Sequence, residues 1–209
     1  PIDPVRFMSN YSSGKMGYAI AMAAKAKGAS VELISGPVAL NPITDIRTTY
    51  VETSSEMYEA VKEKVSDFDI FISTAAIADY KPANYSDTKY KKNENNITIE
   101  FTRGIDILET ISKKYKNLFT VGFAAETNSL KENTQQKLAK KNLDLIVGNI
   151  ANHELKLGFE SDYNEVIILS NTNSKKISHD KKSNIANKIL DFIAVEYSNK
   201  LQLVKNNVK

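Results

Sequence analysis

Apolar runs and amphipathic segments alternate along the chain, and their two periods divide it into strands and helices. Val31 to Ser35 is a short apolar run stopped by Gly36-Pro37, which predicts a buried strand, and Ile46 to Glu52 is a second, more alternating one. Thr53-Ser54-Ser55-Glu56 has the form of a capping box and opens a helix through Val65, with Met57, Val61 and Val65 on one stripe. Phe68 to Ala76 is a continuous apolar run of the kind buried on both faces of a parallel sheet. A polar stretch from Asp79 to Asn96 follows, too long for a tight connection. Beyond it, Ile97 to Phe101 reads as a strand, Ile105 to Tyr115 as a helix and Phe119 to Ala124 as another buried strand. Ser129-Leu130-Lys131-Glu132 is a second capping box, its helix reaching Asn142, and Leu143 to Val147 and Glu165 to Leu169 complete the predicted strands. The final helix, about residues 181 to 197, puts Ile185, Ile189, Phe192, Ile193 and Glu196 near one stripe, and Gln202 to Lys209 are expected to fray.

Strands alternating with helices predict an α/β fold: a three-layer, doubly wound, Rossmann-like arrangement around a mainly parallel sheet, in one domain over residues 1–209 with 201–209 as its frayed tail. The chain starts at Pro1, not at a methionine, and no full strand precedes the turn at Asn10. The first strand of the sheet is therefore expected to be missing, from a chain excised from something longer.

That turn, Ser9-Asn10-Tyr11-Ser12-Ser13-Gly14-Lys15-Met16-Gly17, opens a helix of small residues that runs to Lys27 and ends at Gly28. A helix start of this build presents unpaired N–H groups and the positive end of the macrodipole to a phosphate or carboxylate. A Walker A loop is rejected, because Ser9 stands where its first glycine belongs and Met16 replaces the magnesium-holding hydroxyl. A dinucleotide fingerprint keeps only Gly14 and Gly17 of three glycines, with Ser12 in the first position; together with Glu32 it leaves an NAD(P)-dependent oxidoreductase open. An ordinary loop-to-helix junction also satisfies the local pattern.

Composition narrows the chemistry. With 209 residues and 42% hydrophobic content the chain can bury a substantial core, and no apolar run reaches the length of a membrane span. There is no cysteine, hence no disulfide or thiolate metal site, which fits a cytoplasmic setting. A formal charge of +3, carried almost wholly by lysine, is poor ground for a nucleic-acid partner. Neither a membrane nor a nucleic acid is expected as partner.

Ligands of a doubly wound sheet sit at the carboxyl ends of its strands. Three stretches are expected there: Ala75-Ala76-Ile77-Ala78-Asp79-Tyr80-Lys81-Pro82, Phe123-Ala124-Ala125-Glu126-Thr127 and Gly148-Asn149. Asp79 can accept hydrogen bonds from an amine or a ribose hydroxyl, or simply cap a turn. Lys89-Tyr90-Lys91-Lys92 suits an arriving polyanion, or is a solvated loop. Lys137 and Lys141 share a helix face, where like charges cost a few tenths of a kcal/mol without a counter-anion. His153 and His179 show no metal-ligand spacing, and no G-x-S-x-G elbow is present.

The turn with Asp3-Pro4-Val5-Arg6 before it, and Leu33 to Val38, Ala75 to Tyr80, Lys89 to Lys92, Val121 to Thr127, Leu143 to Asn149 and Gly158 to Asn164 after it, resembles in matching order the phosphopantothenate–cysteine ligase family of coenzyme A biosynthesis, in its bacterial CTP-using form. The resemblance implies that the carboxylate of 4′-phosphopantothenate attacks the α-phosphate of CTP, and that cysteine's amine then displaces CMP from the acyl cytidylate. By this resemblance Asn10 binds the acyl cytidylate, with Arg6 on the phosphopantothenate side, and Lys89 bridges nucleotide phosphate and reacting carboxylate. Ala75, Asp79, Ile105, Asp106, Ile107, Leu108, Phe123, Lys137 and Lys141 match CTP contacts. The resemblance further implies Mg2+ carried by the CTP phosphates with no metal site of the protein's own, a homodimer, and a flavin-dependent decarboxylase domain often fused to the ligase but absent from this chain. Where the family commonly reads Asn-Pro-Asp-Ile, this chain has Gly104-Ile105-Asp106-Ile107.

Overall fold

The structure, a computed structural model, describes residues 1–91, 96–150 and 161–207. Lys92, His153, Gly158 and Lys209, all named above, lie outside the described residues. Strand β1 (Glu32–Ser35) pairs in parallel with β2 (Arg47–Tyr50). A second sheet has the order β3-β6-β7-β8-β9, formed by Ile70–Ser73, Phe119–Glu126, Leu145–Ile150, Tyr163–Ser170 and Ser174–Lys181. β3, β6 and β7 are parallel, and β8 and β9 close that side with antiparallel pairings. β4 (Tyr80–Pro82) and β5 (Phe101–Arg103) form a separate antiparallel pair. The architecture is the expected three-layer α/β fold with a mainly parallel sheet.

The layers follow from the alternation along the central strands. Phe119, Val121, Leu145 and Val147 face one side, where they pack with Ala19, Ala23, Ile185 and Ile189 of α1 (Lys15–Ala26) and α5 (Lys182–Asn207). On the other face Ala124 and Ile146 meet Leu108 of α3 (Ile107–Lys114) and Leu138 of α4 (Leu130–Lys140). α2 (Ser54–Lys64) sets Met57 and Val61 against Ile111, and both Ile34 of β1 and Phe71 of β3 pack on that cluster. β1 and β3 thus share one helix, and among the described residues they share no ladder. One reading is corrected: β3 is only half-buried, and among the described residues its sole strand neighbour is β6.

Other differences have local causes. The first capping box forms: Glu56 N–H donates to Thr53 Oγ1 at 3.1 Å, and Thr53 N–H reaches Glu56 Oε2 at 3.4 Å. The second does not. Ser129 sits at φ 43°, in the left-handed region, and its side chain makes no cap; Asn133 Nδ2 donates instead to Asn128 O at 3.1 Å. The strand predicted over Ile97 to Phe101 falls at Phe101–Arg103, and its partner β4 was not predicted. β9 was missed because only Ile177 of its eight residues is buried, as suits a lysine-bearing edge strand. α5 continues to Asn207, through residues expected to fray; Lys200 Nζ anchors its late turns, 2.7 Å from Asp144 Oδ1 and 3.1 Å from Leu118 O.

The two helix starts predict opposite outcomes in urea unfolding. Thr53→Ala should cost about 1 kcal/mol through the lost cap, whereas Ser129→Ala should stay within about 0.5 kcal/mol. Equal costs at both sites would contradict the assignment.

Candidate active site

Because β3, β6 and β7 run in parallel, their carboxyl ends open on one edge of the sheet, and a cavity of about 510 Å3 lies there. The α1 turn, the segment after β3 and the ends of β6 and β7 supply Asn10, Gly14, Ala75, Ala76, Phe123 and Asn149 to its lining. Gly14 makes the turn possible: its φ is 72°, and a Cβ there would stand 2.8 Å from Val38 Cγ1. Asn10 Nδ2 donates to Ala76 O at 3.3 Å and to Ile77 O at 3.2 Å, tying the α1 turn to the segment that follows β3.

A second tie fixes the lysine-bearing segment. Asp3 is 2% exposed, and its Oδ1 accepts from the N–H groups of Val5 and Arg6 at 2.8 Å each. Its Oδ2 accepts from Arg6 Nη1 at 2.8 Å and from Tyr90 N–H at 3.2 Å, while Arg6 Nη2 reaches Tyr90 O at 3.2 Å. Burial alone would raise the Asp3 carboxyl; the three backbone N–H groups and the guanidinium outweigh it and hold its pKa below the ordinary value. Lys89 is thereby placed one residue from a clamped backbone, exposed at the surface.

A third group surrounds α3 and α4. Gly104 N–H donates to Asp79 O at 2.7 Å, bringing the segment after β3 beside the turn into α3. Asp106 caps α3, accepting from Glu109 N–H at 2.9 Å, and lies 2.7 Å from Lys141 Nζ. Lys137 Nζ lies 2.6 Å from Glu126 Oε1 at the end of β6. Side chains on a helix tilt toward its N-terminus, so Lys137 leans toward the edge where α4 begins. Each lysine of this like-charge pair has a carboxylate partner. Burial raises the Asp106 carboxyl, but the Lys141 ammonium and the Glu109 N–H hold it below its usual value.

Of the residues singled out from sequence, Asn10, Ala75 and Phe123 line the cavity. Arg6, Asp79, Lys89, Ile105, Asp106, Ile107, Leu108, Lys137 and Lys141 lie outside that lining; of these, Asp79, which accepts from Gly104 N–H, adjoins the lining residues Ala78 and Tyr80 in sequence. His179 stacks on Tyr163 with ring centroids 5.3 Å apart, away from the cavity. Glu32 corrects the dinucleotide reading. It opens β1 at the end opposite the cleft, pairs with Lys64 at 2.9 Å and Arg47 at 3.3 Å, and is absent from the lining. Sequence reasoning missed Lys182, Asn164 and the partner role of Glu126; Lys182 follows β9 directly, so finding that strand would have placed it at the edge.

Fold and cleft together define the class: a Rossmann-like α/β protein with a cleft at the carboxyl edge of its sheet. The chain belongs to the family described as the DNA/pantothenate metabolism flavoprotein C-terminal domain, whose model matches residues 1–197. It is 43% identical over 192 residues to the coenzyme A biosynthesis bifunctional protein CoaBC of Vibrio vulnificus, covering 90% of this chain and 48% of that protein. To the protein of the same name from Escherichia coli it is 40% identical over 204 residues, covering 96% of this chain and 50% of that one. The chain thus spans about half the length of these relatives. Among solved structures, the C-terminal domain of CoaBC superposes with a TM-score of 0.80 at 37% identity, covering 95% of this chain and 90% of that one.

The Asp106–Lys141 pair carries a pH signature. A carboxyl whose folded pKa is depressed contributes stability above its unfolded pKa of about 3.9, and that contribution is lost as pH falls through the folded value. Asp106→Asn keeps a capping side chain but removes the charge. Wild type minus variant stability, from urea unfolding at pH 7 down to 2.5, should therefore be constant above about pH 5 and shrink below pH 4. A difference that grows on acidification would contradict the pairing.

Proposed function

We propose that this chain is the ligase that joins 4′-phosphopantothenate to cysteine at the expense of CTP. The observation that carries the reading is the convergence, at one sheet edge, of the Asn10 turn, the segment after β3 and the lysines held by Glu126 and Asp106. Membership of a family that includes the C-terminal half of coenzyme A biosynthesis proteins supports it. In the first step a carboxylate oxygen attacks the α-phosphorus of CTP and the bond to pyrophosphate breaks. In the second, cysteine's amine attacks the acyl carbon and CMP leaves with the bonding electron pair. A carboxylate is a poor electrophile, so the nucleotide supplies the leaving group and the protein supplies position and charge.

In this reading Asn10 holds the acyl cytidylate against Ala76 and Ile77, and Arg6 serves the phosphopantothenate side. Lys89 bridges the reacting carboxylate and the α-phosphate. Ala75, Asp79, Ile105 to Leu108 and Phe123 receive the nucleotide, and Lys137 and Lys141 exchange their carboxylate partners for its phosphates. Among the described residues no three carboxylate or imidazole groups gather as a metal site. Mg2+ is read as travelling on the phosphate oxygens, where it neutralises charge. A cytoplasmic setting and a fused decarboxylase belong to the same reading; no described helix is long and apolar enough to cross a membrane.

Pyrophosphate and CMP formation test it directly. With CTP, magnesium and 4′-phosphopantothenate, pyrophosphate should appear without cysteine, and CMP only once cysteine is added, with ATP a poor substitute. CTP binding without pyrophosphate release would make the chain a non-catalytic nucleotide-binding module instead. Lys89→Gln should slow cytidylate formation by about 10²-fold or more, because developing charge loses its cation. Asn10→Asp should disturb the intermediate more than CTP affinity. Wild-type turnover in both variants would contradict these roles.

A second copy is the proposed partner of the exposed apolar side chains Phe7, Tyr11, Tyr80 and Phe101. Light scattering should give twice the chain mass, and Phe101→Lys should lower it. A monomeric wild type would remove the proposal.

A further inference from the structure

On the face of the sheet that packs against α1 and α5, the strand residues Val121, Leu145, Val147, Val166 and Ile168 are buried and apolar. Two polar residues break that pattern at the carboxyl edge. Asn149, near the end of β7, is 9% exposed, and Asn164, near the start of β8, is 8% exposed. Alternation sets Asn149 on the face of Val147 and Asn164 on the face of Val166. β7 and β8 pair antiparallel with Gly148 opposite Ile167, so Asn149 comes beside Val166, and Asn164 lies diagonal to it on the same face. Both line the cavity. Asparagine is disfavoured in strands, and two of them at one edge break the local rule that the rest of the face obeys.

Each carboxamide spends one polar atom locally and keeps the other. Asn149 Nδ2 donates to Ile150 O at 3.3 Å, so its Oδ1 is a spare acceptor. Asn164 Oδ1 accepts from Glu165 N–H at 2.9 Å, so its Nδ2 is a spare donor. These partners fix the orientations, because turning either amide over would set oxygen against oxygen or N–H against N–H. Neither spare atom has a hydrogen-bond partner among the described residues. Neither is sealed in the interior, since Glu126 Oε1 is the only fully enclosed side-chain atom without a hydrogen bond among those residues. The spare atoms open on the cavity instead. Polar groups buried to this degree are almost always paired, so a spare acceptor beside a spare donor calls for a ligand with one of each.

We propose that Asn149 and Asn164 form a subsite for a secondary amide, with Asn164 Nδ2 donating to its carbonyl and Asn149 Oδ1 accepting from its N–H. A trans amide presents these two groups on opposite sides, where a donor and an acceptor from neighbouring strands can bracket it. Asp106, Lys137 and Lys141, proposed above as nucleotide contacts, lie outside the cavity lining, which leaves this face to the acid. The occupant is then the amide that joins the two halves of 4′-phosphopantothenate. Naming that molecule rests on the ligase reading, whereas the pairing of donor and acceptor does not. The edge of a cytosine offers the same donor and acceptor chemistry, and the experiment separates the two sources.

Calorimetric titration of the 209-residue chain with 4′-phosphopantothenate and with CTP tests the assignment. Asn164→Leu removes the spare donor and Asn149→Leu the spare acceptor, in each case without adding charge. Each should weaken 4′-phosphopantothenate by about 10-fold or more and leave CTP unchanged. The ester analogue, in which oxygen replaces the amide N–H, gives a readout that general damage would not move. Wild type should bind it about 10-fold more weakly than the amide, and Asn149→Leu should bind the two alike. Unchanged affinity in folded variants would overturn the proposal and leave two hydrated asparagines. Loss for CTP with 4′-phosphopantothenate unchanged would also overturn it and give the pair to cytosine. If either leucine variant fails to fold, Asn164→Ser, which keeps a hydroxyl beside Glu165, carries the same test. Failure of the ligase reading shows differently: wild type would bind 4′-phosphopantothenate through both asparagines yet release no pyrophosphate from CTP.

Discussion

Parallel pairing of β3, β6 and β7 is the constraint on which the rest depends. Parallel strands must each be followed by a crossover, so every connecting segment that leaves a carboxyl end emerges on the same edge. The segment from Ala75 to Asp79, the end of β6 at Glu126 and the turn into α4 emerge on that edge for this reason, and the turns into α1 and α3 are joined to it by hydrogen bonds. Hydrogen bonds then set their register: Asn10 on Ala76 and Ile77, Gly104 on Asp79, and Asp3 with Arg6 on Tyr90.

Charge is organised on the same edge in two different ways. Lys137 and Lys141 are each held by a carboxylate, Glu126 at 2.6 Å and Asp106 at 2.7 Å. Lys15 and Lys182 are brought together by helix packing, with Asp162 2.6 Å from Lys15 Nζ, and burial holds the Lys182 pKa below the usual lysine value.

What could be read in the chain was whatever the core enforces. β6 and β7 are apolar because both faces are covered, and α2 announces itself through Thr53 and Glu56. What could not be read depends on edges and on long-range partners. β9 presents only Ile177 inward, so no period of two shows in Ser174 to Lys181. Ser129 has the composition of a cap but a backbone turned left-handed, which composition does not reveal. Lys137 and Lys141 were visible as a pair, yet their carboxylates come from the end of another strand and the cap of another helix. Lys182 was invisible as a site residue because β9, which delivers it, was invisible first.

The central claim is that one sheet edge forms one binding cleft. Amide hydrogen exchange with and without CTP, magnesium and 4′-phosphopantothenate reads every segment of that edge at once. Protection should rise together over residues 9–17, 75–80, 86–91, 104–108 and 123–126, with α2 and the late turns of α5 unchanged. Protection limited to one of these segments, or centred on α2, would show that the edge does not act as a single site.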